Sequence, residues 1–86
     1  MKSRTTAQFR KALSQLPPDI KGKAAKAYRL FRENQQHPSL HFKQVHTTKP
    51  VYSVRIGLGY RALGVRHENE ILWFWIGSHA DYDKLV

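Results

Sequence analysis

Tyr52–Val86, YSVRIGLGYRALGVRHENEILWFWIGSHADYDKLV, is the stretch that decides the fold. Tyr52, Val54 and Ile56 alternate with Ser53 and Arg55, the period of a strand with one covered and one open face. Gly57-Leu58-Gly59 has the composition of a tight turn, and Tyr60–Arg66 reads as the returning strand. On that strand Ala62 and Gly64 are small enough to lie under a packed helix, which leaves Arg61 beside Arg55 on the open face. Glu68-Asn69-Glu70 forms a second turn before Ile71–Ile76. Those six residues are all apolar, as in a central strand covered on both faces. A regular strand would put Trp73 and Trp75 together in the core and Phe74 on the other face. Gly77-Ser78 is expected to end the strand, and His79–Leu85 to form a short terminal helix or tail.

Upstream the period changes to that of helices. Thr5-x-x-Gln8 has the form of a capping box, followed by Phe9, Leu13 and Leu16 at helical spacing. This predicts a helix from about Ala7 to Leu16, stopped by Pro17-Pro18. Pro18 then opens a second helix, in which Ile20, Ala24, Ala27, Tyr28 and Phe31 line one face. Lys21, Lys23, Lys26, Arg29 and Arg32 cover its other faces, and Pro38 ends it. Leu40, Phe42 and Val45 alternate with polar neighbours as a further short strand. The order of two helices and then three to four antiparallel strands is an α+β layout, with both helices on one face of a twisted sheet.

Eighty-six residues make one domain with one modest core. Net charge is +9 and the sequence pI is about 10.3, which points to a phosphate-rich or acidic partner. The first 43 residues carry ten of the fifteen Lys and Arg against only Asp19 and Glu33. There is no cysteine, so disulfides and thiolate metal sites are excluded. No apolar run has the length of a signal peptide core or a membrane span, so the expected location is cytoplasmic. His37 and His41 have the i, i+4 spacing of a zinc pair, but Pro38 breaks the helix such a pair needs. No metal or other cofactor is implied.

Arg55 and Arg61 carry permanent charge and need an anion or water. Surface ion pairs with Glu68, Glu70, Asp81 or Asp83 would satisfy them, and so would a phosphate. Histidine is the side chain best suited to move protons near neutral pH, so His79 is a candidate general acid or base. Tyr82, three residues on, shares its helical face, as a packing residue or a second proton donor. Asp81 or Asp83 can orient the imidazole.

The ordered set of these residues resembles the RelE/ParE superfamily of toxins from bacterial toxin–antitoxin systems. The matching residues begin with Phe9, Leu16-Pro17, Ala24, Ala27-Tyr28, Phe31, Asn34, His37-Pro38-Ser39-Leu40 and Phe42-Lys43. They continue through Tyr52-Ser53-Val54-Arg55-Ile56-Gly57, Tyr60-Arg61-Ala62-Leu63, Trp73, Trp75-Ile76-Gly77, His79 and Asp81-Tyr82-Asp83. The resemblance implies a helical pair on a twisted sheet with a concave open face, and a cognate antitoxin partner. A first strand has only Met1–Arg4 to occupy.

In the ribonuclease branch the resemblance implies metal-independent cleavage of messenger RNA, commonly on the ribosome. Arg61 falls on the phosphate and transition-state contact, and His79 and Tyr82 on the acid and base roles. Arg55 falls on the earlier strand arginine, while Lys43 and His41 are further RNA contacts. Two other readings remain open: a non-enzymatic toxin inhibiting DNA gyrase, and a bare RNA-binding module.

Overall fold

The computed structural model describes all 86 residues, Met1–Val86. Strand β1 (Lys2–Thr5) leads into α1 (Ala7–Ser14) and α2 (Pro18–Glu33), then a 3₁₀ turn (Pro38–Leu40). Strands β2 (Lys43–Gln44), β3 (Val51–Ile56), β4 (Tyr60–His67) and β5 (Glu70–Ser78) follow, and α3 (His79–Leu85) ends the chain. All five strands join in one sheet of order β1-β5-β4-β3-β2. Neighbouring strands are antiparallel except β1, which runs parallel to β5. The α+β class and the helices on one face agree with the sequence reading. The sheet has one strand more than the three to four expected.

That additional strand is β1. Lys2-Ser3-Arg4-Thr5 shows no apolar alternation, and its strand state comes from the backbone ladder it shares with β5. Ser3 nevertheless has a side-chain role on the covered face: its Oγ accepts the indole N–H of Trp73 at 2.8 Å. The helix that follows begins at Ala7 as expected and ends at Ser14, but its cap is Thr6 and not Thr5, since the Thr6 hydroxyl accepts from the backbone N–H of Phe9 at 3.0 Å. Leu40–Val45 is mostly not a strand. The 3₁₀ turn ends in His41 with left-handed φ of 47°, which breaks the alternation and leaves only two residues in β2.

The core lies between α1, α2 and the sheet. Phe9, Ala27 and Phe31 from the helices meet Val54, Ile56, Ala62, Ile71, Trp73 and Ile76. Phe31 sits edge-on to both Phe42 and Trp73, with ring centroids 5.0 and 5.4 Å apart. Burial of these aromatic and branched side chains supplies most of the driving force for folding.

The register corrects three expectations for β5. The pairing shifts register between Leu63 and Gly64, so Gly64 faces Trp73 while Leu63 faces Trp75. Phe74 is the extra residue of a β-bulge, and a bulge breaks the strict alternation of sides. Trp73 therefore enters the core, whereas Trp75 shares the open face with Leu63 and Arg61. The strand is also not covered on both faces, because Leu72 on the open side is 42% exposed. Nor does Gly77-Ser78 end it: Gly77 pairs with Arg61 and Ser78 with Tyr60.

At Gly64 the core side chains of β5 close directly over the backbone of β4. A β-carbon there would come within 2.8 Å of Ile71 Cγ1 and Trp73 Cε3. Gly64→Ala is expected to lower unfolding stability by about 1–3 kcal/mol through overpacking. A urea midpoint unchanged from wild type would show that the core yields there.

Candidate active site

The open face is built by register. Arg55 of β3 pairs directly with Arg61 of β4, so both guanidinium groups leave the sheet side by side away from the helices. Lys43 of β2 pairs with Ser53 and so projects from the same face. The terminal helix folds over the Arg61 end of this surface. Its first turn is fixed by the His79 backbone N–H donating to Gly59 O at 2.7 Å, and by Ser78 Oγ accepting from the Asp81 N–H at 3.2 Å.

Arg61 is held on two sides. Its Nε donates to His79 Nδ1 at 3.3 Å, and its guanidinium carbon lies 5.2 Å from the centroid of the Tyr82 ring. Nη1 is closed off from solvent and has no acceptor. A charged donor left in that state is costly. The alternative of surface ion pairing for the two arginines does not hold. The ion pairs of the molecule are Arg4–Glu70, His67–Glu68 and His79–Asp83, and none uses Arg55 or Arg61.

His79 is oriented from both ring nitrogens. Because Nδ1 accepts from Arg61, the ring hydrogen of the neutral form belongs on Nε2, which faces Asp83 Oδ2 at 3.6 Å. Asp83 thus takes the orienting position open to either Asp81 or Asp83 in the sequence. Its i, i+4 spacing puts it on the same side of α3 as His79. Tyr82 is 7% exposed and stacks on the imidazole with centroids 5.9 Å apart and planes 20° from parallel. It forms the floor under both His79 and Arg61.

On the other side, Arg55 Nε donates to Gly57 O at 3.0 Å, and Nη1 approaches His41 Nε2 at 3.4 Å. Left-handed backbone at His41 turns its ring toward Arg55. The face therefore carries a line His41, Arg55, Arg61, His79, with Lys43 at the β2 edge. Register puts Lys43, Arg55 and Arg61 on this surface and α3 brings His79 to it, while Tyr82 is buried beneath. Trp75 is the open-face residue that the sequence missed, and no signal in the sequence marks the bulge that puts it there.

Two concavities lie apart from the Arg61–His79 cluster. One of about 420 Å³ is lined by Lys23, Lys26, Ser39 and Arg55, and so extends the basic region toward α2. The other, of about 410 Å³, opens between the helices and is lined by Phe9, Leu13, Ala24, Tyr28 and Phe31 with Arg4, Arg10 and Lys21. Neither contains Arg61 or His79, so the candidate site is a surface of side chains and not an enclosed pocket. No helix is long and apolar enough to cross a membrane.

The sequence profile of the ParE-like toxin domain matches residues 18–84. Among curated proteins nothing matches the sequence. Solved structures share the fold at low identity. A chain of the RelB–RelE antitoxin–toxin complex from Methanococcus jannaschii is 16% identical, with a TM-score of 0.75 over 96% of this chain and 99% of that one. A chain of the RelE–RelB complex from Pyrococcus horikoshii is also 16% identical, with a TM-score of 0.71 over 90% and 92%. YafQ from Escherichia coli is 10% identical, with a TM-score of 0.73 over 94% and 96%.

Proposed function

The chain belongs to the ParE-like toxin domain family of the RelE/ParE superfamily, and from that membership we propose that it is an endoribonuclease toxin that cleaves messenger RNA. The observation that carries this reading is the Arg61 guanidinium. It is clamped between His79 and Tyr82 without a carboxylate partner, and it keeps one buried nitrogen unsatisfied.

In this mechanism a backbone phosphate reaches Arg61 and takes up its free donors, with Arg55 alongside on the neighbouring strand. The long 3.3 Å bond from Arg61 Nε gives way, and His79 Nδ1 becomes free to accept a proton. It takes that proton from the ribose 2′-hydroxyl, whose oxygen attacks the adjacent phosphorus. A cyclic phosphate forms as the bond to the leaving 5′-oxygen breaks. Negative charge growing on the phosphoryl oxygens is met by the two arginines, and Asp83 steadies the imidazolium. The leaving oxygen takes its proton from a second group, for which the face offers Tyr82 and His41. Lys43 and His41 contact the RNA on either flank.

A partner follows from the same reading. The neighbouring folds come from complexes with an antitoxin, and the +9 charge favours an acidic one. An acidic amphipathic segment fits the groove between α1 and α2, apolar along its floor and rimmed by Arg4, Arg10 and Lys21.

The test is incubation of the purified protein with RNA, with and without ribosomes. Cleavage that leaves a 2′,3′-cyclic phosphate is the expected result. Intact RNA under both conditions, with blocked DNA supercoiling in a purified gyrase assay, would establish the gyrase-directed reading in its place.

A further inference from the structure

The bulge at Phe74 does more than shift a register. It delivers Trp75 to the face that carries Arg55 and Arg61, directly opposite Leu63. The indole lies along the strand over Gly77, the residue that pairs with Arg61. A β-carbon at Gly77 would come within 2.6 Å of Trp75 Cζ2 and 2.8 Å of Cη2, so the ring occupies the space that a side chain there would take. Further along the same face, Val65 and Leu72 pair with each other and are 39% and 42% exposed. Val51 completes the row opposite Val65.

The open face is thus divided into two lanes that run across the strands. One is cationic, Arg55 and Arg61. The other is apolar and two rows deep, with Leu63 and Trp75 beside the arginines and Val51, Val65 and Leu72 beyond them. Successive rows on one face of a strand lie about 7 Å apart, so Trp75 adjoins the arginine row while Val65 and Leu72 stand a further row away. A part-exposed indole between cations that lack a carboxylate partner and the exposed Val65 and Leu72 is an unusual juxtaposition for a surface with no ligand.

We propose that the apolar lane is the base-stacking platform of the site, and that bases flanking the scissile phosphate of single-stranded RNA lie on Trp75 while Arg55 and Arg61 hold the phosphates. This rests on the ribonuclease reading and deepens it by assigning the bases a place. Single-stranded nucleic acid has the matching two-sided chemistry, anionic along its backbone and flat and apolar along its bases. An acidic peptide would also satisfy the cations. The sheet face around Trp75 is not part of either larger concavity, however, and a flat indole-bearing surface suits planar bases better than a helical segment.

The probe is a short fluorescein-labelled RNA with 2′-O-methyl riboses, which cannot be cleaved because the nucleophile is blocked. Binding is read by anisotropy and stacking by quenching of tryptophan emission, in the full chain. With two tryptophans in the protein, Trp73→Phe and Trp75→Leu each leave a single reporter. Quenching is expected to persist in Trp73→Phe and vanish in Trp75→Leu. The dissociation constant of Trp75→Leu should rise roughly 5- to 150-fold, the loss of one stacked base. With cleavable RNA the same variant should show a raised KM with kcat little changed.

Leu72→Ser, at a position already half open to water, provides a variant that does not depend on replacing an indole, and it should weaken binding in the same direction. Equal affinity in wild type, Trp75→Leu and Leu72→Ser, with no quenching of Trp75, overturns the platform while leaving the ribonuclease reading intact. So does weakened antitoxin capture with unchanged RNA affinity, which would make the lane a protein contact. Wild-type protein that neither binds the probe nor cleaves RNA removes the platform and the underlying reading together.

Discussion

His79→Ala is expected to slow RNA cleavage by about 10²- to 10⁴-fold, the range lost with a positioned general base. The imidazole is fixed by Arg61 at Nδ1, by Asp83 near Nε2 and by the Tyr82 ring beneath it. Alanine removes the proton acceptor and none of these supports. The fold should survive, because residue 79 stays tied to Gly59 through its backbone N–H and Tyr82 keeps the helix seated. Circular dichroism and a thermal melt separate lost chemistry from lost structure. Asp83→Asn should cause a smaller loss, since it weakens the orientation of the ring without removing it. Wild-type cleavage by a folded His79→Ala protein would take the base role away from this residue.

Arg61→Ala is the second large effect. Removing one preorganised donor to a charge-developing oxygen costs about 10²- to 10³-fold in rate. Arg61 also binds the phosphate before reaction, so the loss should appear in KM as well as kcat. Arg61→Lys separates charge from geometry. Lysine restores the positive charge but not the planar fork that donates to His79 while stacking on Tyr82, so recovery should be small. Full activity in the lysine variant would mean that Arg61 serves as a point charge only. Alanine should not unfold the domain, because Arg61 is partly exposed and no carboxylate loses a partner.

Local pattern alone carried much of the fold. The Val51–Ile56 strand contains the alternating stretch Tyr52–Ile56, and the second helix begins at Pro18 as the proline rule requires. Alternation puts Arg55 and Arg61 on the face away from the helices, and their direct pairing shows that the two share one face. Period-two and helical spacing encode which side of an element is covered, and that information is local.

What was not legible depended on partners distant in sequence. Strand β1 exists because β5 offers it a ladder, and its own four residues carry no strand signal. The turn of Trp75 to the open face comes from one unpaired residue in the β4–β5 ladder, which alternation within β5 cannot reveal. The sequence could nominate Arg61, His79 and Tyr82 one at a time by residue type. Their mutual arrangement, and the choice of Asp83 over Asp81, depended on α3 folding back over the sheet.

The sequence by itself determined an α+β domain with a strongly basic surface and two arginines facing away from the helices. Charge, period and turn chemistry are properties of neighbouring residues and need no tertiary context. Only the tertiary structure decided that Arg61 is clamped with a donor left unsatisfied, that His79 and Asp83 form a pair, and that Trp75 stands beside them. Each of these is a relation between elements, fixed when the sheet register and the terminal helix close together.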